Sequence, residues 1–293
     1  MEPLRTWLFA PGNHPRKVEK VFTVGADAVV LDLEDAVALE QKAATRAGVV
    51  DALKARRKRA SLGYIRVNAI DTEFCYGDLY AVIGPWLDGI LLPKVESAGQ
   101  LKTIDWLMAQ LECARGMAVG GLDMLPIIET GKGVAAIDDI AGSNTRVRRL
   151  SFGAGDFTND MGMVWTPDEN ELMHARSAIA LASRAAGLEA PIDTVFIDLQ
   201  DSEHLEKSAR TALTLGYRGK LCIHPSQIEP VNAIFTPSAE EIARAQKHVE
   251  AFAAAEAEGS ASIQVDGYFV DYPIVEKAQR TLALMAAIKA KGS

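Results

Sequence analysis

Cysteine is scarce in this chain, and its spacing excludes two common kinds of architecture. The 293 residues include three cysteines, Cys75, Cys113 and Cys222, and no Cys-x-x-Cys pair. An odd number at these spacings does not fit a disulfide framework or a structural zinc site. The pattern indicates a reducing compartment, and we expect a cytoplasmic protein.

Long apolar runs and a surplus of basic residues are lacking as well. No run approaches the roughly 20 apolar residues that span a bilayer, and the start, Met1-Glu2-Pro3-Leu4-Arg5, does not resemble a signal peptide. The net charge of −8 argues against a nucleic-acid partner, which requires a basic face. A local cluster of cations can still bind a small anion. We therefore expect neither a membrane nor a nucleic-acid partner.

The common nucleotide-binding fingerprints are also missing. Gly153-Ala154-Gly155-Asp156 has neither the spacing of a dinucleotide-binding loop nor the Lys-Ser/Thr of a P-loop. The missing Cβ atoms of the two glycines nevertheless allow backbone N–H groups to approach a ligand closely. We expect Gly153, Ala154 and Gly155 to bind a carboxylate of the substrate.

What the sequence does contain is a regular alternation of short apolar runs and helical patterns. Almost fully apolar strands alternating with helices predict a parallel sheet covered by helices. Eight repeats indicate a TIM (β/α)8 barrel over residues 1–236, with an open doubly wound sheet as the alternative. The predicted strands are Thr6–Ala10, Ala28–Leu33, Leu62–Val67, Gly89–Leu92, Met124–Ile128, Leu150–Phe152, Asp193–Ile197 and Lys220–Ile223.

The composition changes in residues 237–293, where alanine and glutamate dominate. Ser238–Glu258 reads as a helix in which Ser238 and Glu241 form a capping box. A strand-like piece, Ile263–Val270, and a final helix, Pro273–Lys289, follow. We expect this extension to pack on the barrel mouth or on a neighbouring subunit.

Two carboxylates stand directly after predicted strands. Glu129 follows Leu125-Pro126-Ile127-Ile128, and Asp156 follows Phe152 and the glycine-rich turn. Residues just past the strands of a parallel barrel face its active-site mouth. Either residue alone reads better as a helix cap or turn residue. Together they predict a Mg²⁺ site, because Mg²⁺ takes few protein oxygens and fills its other positions with water and substrate.

A second acidic group, Asp32-Leu33-Glu34-Asp35, follows the second predicted strand. Carboxylates this close repel one another unless a cation lies near. We expect Glu34 and Asp35 to hydrogen-bond metal-bound water or to fix an arginine. A solvated loop is the alternative.

Two cations end neighbouring strands at the same mouth. Arg66 lies in an apolar strand, so its charge must be paired or face a ligand. Its planar fork suits a carboxylate or an enolate oxygen, and a salt bridge to Glu34 or Asp35 is the competing interpretation. Lys94 follows the fourth strand, where neighbouring carboxylates would keep it protonated. An electrostatic role in substrate binding therefore fits Lys94 better than a Schiff base.

A basic loop follows the first strand. Arg5, Arg16 and Lys17 flank the Gly/Pro-bent segment that leads into a helix, which favours a site for substrate phosphates. An ordinary solvated helix start is the alternative. His224, after the eighth strand, is either a base or a structural hydrogen-bonding group beside Pro225.

These segments, in this order along nearly the whole chain, resemble the citrate lyase beta-subunit-like family, which includes malyl-CoA and citramalyl-CoA lyases. The resemblance implies a TIM barrel that assembles as a homotrimer or hexamer, Mg²⁺ bound by Glu129 and Asp156, and Arg66 on the reacting oxygens. The matching segments are Leu8–Asn13, Leu31–Val37, Arg66–Asn68, Leu92–Lys94, Ile128–Thr130, Phe152–Asp156 and Ile223–Pro225.

The segment Asp266–Pro273 resembles the C-terminal part of the stand-alone CoA lyases. The resemblance implies that Asp271 reaches a neighbouring subunit's site and acts as acid/base on the acyl-CoA carbon. Without it, Asp271 would be an ordinary turn residue before Pro273. The segment favours a free CoA thioester over a carrier-bound one.

The resemblance implies a Mg²⁺-dependent carbon–carbon lyase. It would cleave, or form by Claisen-type condensation, a short 3-hydroxydicarboxyl-CoA such as malyl-CoA or citramalyl-CoA, with acetyl-CoA or propionyl-CoA and a 2-keto acid as products. The alternatives are a malyl-CoA-type thioesterase and a citryl lyase subunit that depends on an acyl carrier protein. A pyruvate aldolase with a histidine base would leave the Asp271 segment unexplained.

Overall fold

The computed structural model describes residues 3–56 and 61–292. Eight parallel strands close into a barrel in chain order, which confirms the predicted α/β barrel and excludes the open sheet. The strands are β1 (Thr6–Pro11), β2 (Ala28–Asp32), β3 (Leu62–Arg66), β4 (Gly89–Leu92), β5 (Asp123–Ile128), β6 (Ser151–Phe152), β7 (Ile192–Asp193) and β8 (Gly219–Cys222).

Helices follow the strands around the barrel and continue beyond it. They are α1 (Pro15–Lys20), α2 (Lys42–Ala55), α3 (Cys75–Val82), α4 (Ala98–Ala114), α5 (Gly131–Ala135), α6 (Ile137–Ala141), α7 (Ala154–Asp160), α8 (Met173–Ala185), α9 (Ser202–Thr214), α10 (Ile228–Ile234), α11 (Ala239–Ala257) and α12 (Tyr272–Gly292). Short 3₁₀ turns lie at Val21–Thr23, Leu39–Gln41, Asn170–Leu172 and Pro225–Gln227. No helix in the described ranges has the length and apolar character needed to traverse a lipid bilayer.

The interior of the barrel is filled by alternate strand residues. Trp7 packs against Tyr64 with ring centroids 4.6 Å apart, and Leu91, Leu125 and Leu221 belong to the same buried cluster. The side chains between them on each strand point outward to the helices, as the period of two requires. The barrel is therefore a packed core, and ligand chemistry is left to the loops at its ends.

The strand register brings three strand ends to one level. Pro11 pairs with Asp32, and Asp32 pairs with Arg66. Just past Pro11, the Gly12 N–H donates to the Asp32 carbonyl across 2.9 Å, and a Cβ there would lie 2.6 Å from that oxygen. The glycine thus permits the close approach of two chain segments at the barrel mouth.

Strand β7 is shorter than the predicted Asp193–Ile197. The carbonyl of Phe196 accepts from the Gln227 side chain rather than from a neighbouring strand. Beyond Asp193 the chain is therefore held by side-chain hydrogen bonds, which an apolar sequence pattern does not reveal.

A buried ion network covers the outer side of β7 and β8. The carboxylate of Asp193 accepts from Arg176 Nε at 2.8 Å and from Lys220 Nζ at 2.6 Å, and all three side chains are fully buried. Glu169 pairs with Arg176 at 2.7 Å, and Ser208 donates to Glu169 at 2.6 Å. Buried charges that have partners of opposite sign avoid most of the desolvation cost that a lone charge would carry.

The chain divides into two compact units, one over Leu4–Asn232 and one that begins at Ala233 and includes Pro3. In the C-terminal unit, Ser238 and Glu241 form the predicted capping box at the start of α11.

The prediction of a single strand over Ile263–Val270 is wrong. Two antiparallel strands, β9 (Ser262–Val265) and β10 (Tyr268–Asp271), are joined at Asp266-Gly267, both with positive φ, the conformation of a type I′ hairpin turn.

Candidate active site

Arg66 and Asp32 form the base of the charged cluster at the barrel mouth. Arg66 Nε and Nη2 donate to the two oxygens of Asp32 at 2.7 and 2.6 Å, and Phe9 packs against the guanidinium. Burial alone would raise the pKa of Asp32, but Arg66 and two backbone N–H groups hold it below its ordinary value. Asp32 is therefore ionised and fixes the plane of Arg66.

Glu34 lies between two cations. Its Oε2 lies 2.8 Å from Arg66 Nη1, and its Oε1 accepts from Lys94 Nζ at 2.5 Å. Burial raises the pKa of Glu34 despite both cations. The salt bridge that was the competing interpretation for Arg66 is thus present, at Glu34. Asp35 is more exposed and lies 3.5 Å from Lys94 Nζ.

Glu129 is carried to the mouth by the end of β5 and is buried there. Its Oε1 accepts from the backbone N–H of Lys94 at 2.8 Å. Burial raises its pKa to about 8, with Arg66 opposing the shift and Asp156 and Glu34 adding to it. Burial makes the ionised form of Glu129 unfavourable, so a further cation beside this carboxylate would stabilise it strongly.

Asp156 lies in the first turn of α7, and its side chain is 37% exposed. Its Oδ1 is 3.7 Å from Lys94 Nζ, while the Lys94 backbone holds Glu129. Lys94 itself has a φ of 51°, a strained conformation that is frequent at functional sites. The structure therefore brings Glu129 and Asp156 together at Lys94, and Glu34 links Lys94 to Arg66.

The donor set fits Mg²⁺ better than a metal with a complete protein cage. In residues 3–56 and 61–292, no group of three or more His, Cys, Asp and Glu side chains has the arrangement to hold a metal ion. A buried carboxylate beside a half-open one leaves positions for water and substrate oxygens, as Mg²⁺ requires. Glu129 and Asp156 are the residues that would hold it.

In the glycine-rich turn, the backbone N–H groups of Gly153 and Ala154 do not have the predicted substrate-binding role. The N–H of Gly153 donates to the Ile128 carbonyl at 3.0 Å, and that of Ala154 donates to Thr194 Oγ1 at 2.7 Å. These two N–H groups bind the protein itself, which corrects the expectation that they face a substrate. A Cβ at Gly153 would lie 2.4 Å from Glu129 Oε2, so the glycine makes room for the buried carboxylate.

The predicted anion site after β1 is not assembled as expected. Arg5 precedes β1 and pairs with Asp27 at 2.8 Å, at the N-terminal end of the strands and away from the mouth. Including Arg5 in the site is therefore wrong, because a residue before a parallel strand lies at the opposite end from one after it. Arg16 and Lys17 are exposed in α1, on the mouth side.

His224 has a structural environment. Its Nδ1 lies 2.8 Å from Ser226 Oγ and accepts from the Ser226 N–H at 3.2 Å, so it caps the 3₁₀ turn that begins at Pro225. Gln227 completes the cap by accepting from the His224 N–H at 3.3 Å. The structural interpretation of this histidine fits these contacts.

Three residues that support the site were missed in the sequence. Lys42 donates to the Glu34 carbonyl and to Asn68 Oδ1, both at 2.6 Å, and Asn68 donates to Asp78 at 2.7 Å. This buried network fixes the loop that carries Glu34. The sequence carried no signal for them, because the burial of Lys42, which makes partners necessary, is visible only in the structure.

Asp271 ends β10 at the start of α12. Its Oδ1 accepts from the Ile274 N–H at 3.3 Å, as a helix-capping group does. Its role at a neighbouring subunit's site stays a prediction.

Comparison with known proteins gives consistent results. The model of the HpcH/HpaI aldolase/citrate lyase family matches residues 5–225. The citrate lyase subunit beta of Leuconostoc mesenteroides subsp. cremoris is 38% identical over 283 residues, which cover 97% of this chain and 93% of that protein. The L-malyl-CoA/beta-methylmalyl-CoA lyase of Cereibacter sphaeroides is 35% identical over 297 residues, with coverage of 94% and 93%.

Solved structures agree over most of the chain. The protein CitE from Mycobacterium tuberculosis, in complex with magnesium, acetoacetate and coenzyme A, superposes with a TM-score of 0.76 at 30% identity and covers 96% of this chain and 98% of its own. The citrate lyase beta subunit of the same organism, complexed with oxaloacetate and magnesium, has a TM-score of 0.66 at 30% identity, with coverage of 80% and 97%.

Proposed function

Because the chain belongs to the HpcH/HpaI aldolase/citrate lyase family, we propose that it is a Mg²⁺-dependent carbon–carbon lyase acting on a short 3-hydroxydicarboxyl-CoA thioester. Malyl-CoA and citramalyl-CoA are the expected substrates, and both would give acetyl-CoA and a 2-keto acid. A related substrate with a methyl group on the α-carbon of the thioester would give propionyl-CoA instead. The reverse, Claisen-type condensation uses the same groups. The observation that carries this proposal is the grouping of Glu129 and Asp156 at Lys94, with Arg66 linked to the same lysine through Glu34.

Bound Mg²⁺ would supply positive charge to the oxygens of the 2-keto acid fragment. The chain's own residues supply the rest of the binding. Asp32 engages two of the five N–H groups of Arg66, and Glu34 Oε2 lies beside Nη1. The guanidinium is thus fixed by two carboxylates, and its remaining N–H groups would bind substrate oxygens. The ammonium of Lys94 offsets the charge of Glu34 and Asp35 and so allows an anionic substrate to approach.

Cleavage transfers the proton of the substrate's hydroxyl to solvent water and breaks the bond between the carbinol carbon and the α-carbon of the thioester, so that the hydroxyl oxygen becomes the carbonyl oxygen of the 2-keto acid. The electron pair of that bond stays on the thioester as an enolate, and a proton must be added to its carbon. By resemblance, Asp271 of a neighbouring subunit delivers that proton. The proposal therefore includes a homotrimer or hexamer in the cytoplasm, where the three free cysteines stay reduced.

A carrier-dependent activity is the second candidate, because citrate lyase beta subunits are among the relatives at 38% identity. Such a subunit would take its acyl group from an acyl carrier protein rather than from free CoA. By resemblance, the hairpin and helix that carry Asp271 favour the free thioester. The alignment with the citrate lyase subunit beta covers 97% of this chain and includes this segment as well, so turnover of the free CoA ester decides between the two candidates.

Product analysis tests the proposal. The protein is incubated with malyl-CoA and with citramalyl-CoA, each in Mg²⁺ and in EDTA, beside the variants Glu129→Gln and Glu206→Gln. We expect acetyl-CoA and a keto acid with Mg²⁺ only, loss of product in Glu129→Gln, and near-normal turnover in Glu206→Gln, whose carboxylate pairs with the exposed Arg210.

Other products would contradict it. Release of free CoA with an intact hydroxydicarboxylic acid would identify a thioesterase. Turnover of the same acyl group only on an acyl carrier protein would favour the carrier-dependent subunit.

A further inference from the structure

Helix α7, which carries Asp156, has only seven residues and no side-chain cap of its own. Its N-cap residue is Gly153, which lacks a side chain. Helix starts are commonly satisfied by a Ser, Thr, Asp or Asn at the N-cap. Here the hydroxyl comes from the next strand's end: Thr194 Oγ1 accepts from the Ala154 N–H at 2.7 Å, and Thr194 is fully buried.

The other end of α7 is attached to the loop behind Glu129. Asp160, its last residue, accepts from the Gly131 N–H at 2.7 Å through Oδ2. Gly131 comes two residues after Glu129. The helix is thus held from two sides, by the segment after β7 and by the segment after β5.

The Thr194 attachment point is itself rigid. It directly follows Asp193, whose carboxylate is fixed by Arg176 and Lys220 in the buried ion network. Movement of Thr194 would disturb charges that have no access to water. The hydroxyl therefore offers α7 a fixed reference on the barrel.

We propose that Thr194 is a positioning residue for the metal site, which holds the start of α7 so that Asp156 stays in register with Glu129. The inference rests on the proposed function, since it concerns the Mg²⁺ site of that function. Mg²⁺ demands near-ideal ligand geometry, and Asp156 is two residues from the hydrogen-bonded N–H. Loss of a group that orients a metal ligand commonly weakens metal binding by about 10- to 100-fold.

The test measures Mn²⁺ binding to the full-length protein, by titration calorimetry and by the electron paramagnetic resonance signal of free Mn²⁺. Mn²⁺ takes the same oxygen ligands as Mg²⁺. Thr194→Val keeps the shape and removes the acceptor, and it is expected to raise the dissociation constant about tenfold. Thr194→Ser keeps the hydroxyl and is expected to bind Mn²⁺ like the wild type.

Thr158→Val is the matched control. Thr158 is buried in the same helix, but its hydroxyl donates to the Ala154 carbonyl at 2.8 Å, within α7 itself. The same substitution there perturbs the helix without detaching it from the segment after β7. Unchanged Mn²⁺ affinity in Thr194→Val, or an equal loss in Thr158→Val, would overturn the proposal.

Thermal melts without metal show whether Thr194→Val folds. If it does not, Asp160→Ala detaches the exposed end of α7 instead. Weaker Mn²⁺ binding by that variant supports control of the site through the helix, and unchanged binding contradicts it. Failure of the proposed function looks different: the wild type would bind no Mn²⁺, or Glu129→Gln would bind it equally well.

Discussion

The backbone N–H of Lys94 donates to the carboxylate of Glu129 across 2.8 Å, while the ammonium of the same lysine reaches other carboxylates at the mouth. One residue thus orients a buried acid through its main chain and balances charge through its side chain. The two roles can be separated experimentally, because a substitution removes the ammonium and keeps the N–H.

Lys94→Met is expected to tighten metal binding and weaken substrate binding. Removing the positive charge of Lys94 near Asp156 should make the binding free energy of Mn²⁺ more favourable by about 1 kcal/mol. The Mn²⁺ dissociation constant would then fall roughly fivefold. The KM for the anionic thioester should rise at the same time. Lys132→Met, at an exposed lysine paired with Glu96, is the control and should change neither constant. A fall in metal affinity in Lys94→Met would contradict the electrostatic role.

Gly153→Ala is expected to disrupt the site through one methyl group. The new Cβ would lie 2.4 Å from Glu129 Oε2 and 2.7 Å from Glu129 Cβ. Overpacking of this kind costs about 1–3 kcal/mol, and the displaced carboxylate should lower turnover at least tenfold. At Gly155 the nearest atom is 3.7 Å away, so Gly155→Ala should fold as well as the wild type. Melting temperatures and turnover of both variants provide the comparison.

The stabilisation that Mg²⁺ gives should grow between pH 6 and pH 8.5. Burial raises the pKa of Glu129 from 4.5 to about 8, so without a cation its contribution to stability is present below pH 4.5 and is lost as the pH rises through 8. Mg²⁺ binds the ionised form and so opposes that loss. Melting temperatures with and without Mg²⁺ across this range measure the effect. A pH-independent increment, or the same trend in Glu129→Gln, would argue against it.

Lys220→Met is expected to lower the free energy of unfolding by about 3–5 kcal/mol, the usual cost of removing one partner from a buried ion pair. Lys220 and Asp193 are both fully buried. Lys207→Met removes a lysine from an exposed pair with Asp168 and should cost less than about 1 kcal/mol. Urea unfolding of both variants measures the difference, and equal losses would show that the buried network adds little.

Asp271→Asn is expected to lower turnover by about 10²–10⁴-fold, the usual contribution of a general acid or base. Asparagine keeps the oxygen that accepts from the Ile274 N–H, so α12 should still form. Mn²⁺ binding should also be unchanged, because the proposed metal residues are Glu129 and Asp156.

A mixing experiment tests the neighbouring-subunit role of Asp271. Glu129→Gln and Asp271→Asn, each inactive alone, should regain activity when they are unfolded and refolded together, since some sites then combine an intact Glu129 with an intact Asp271. Absence of recovery in mixed oligomers would contradict the proposed assembly.

The barrel was predictable because its apolar strands have a period and spacing that few folds share. The same reasoning predicted that Glu129 and Asp156 lie at the barrel mouth, where the structure has them, and their role as metal ligands stays a prediction. Arg5 was misplaced because it was grouped with the basic residues after β1, whereas the start of β1 puts it at the other end of the strands. The Asp266-Gly267 hairpin turn was missed although it is a strong local signal.

Long-range hydrogen bonds could not be predicted from the sequence. Thr194 contacts Ala154 across 40 positions, and Lys42 contacts Asn68 across 26. The sequence around Thr194 or Lys42 does not indicate the partner, because each contact depends on how neighbouring strands are aligned. The prediction that the N–H groups of Gly153 and Ala154 bind substrate was wrong for the same reason, because their acceptors lie on other segments of the chain.

The buried network of Arg176, Asp193, Lys220 and Glu169 also has a consequence for divergence among homologous sequences. Replacing any one member leaves the charge of its partners buried without a counter-ion. A lineage that loses one ion therefore does not recover stability until the partner ions are replaced too. Substitutions at these four positions should therefore be correlated, so that relatives keep all four charged residues or have apolar residues at all four positions. Intermediate combinations should be uncommon in nature even though none of the four touches the chemistry.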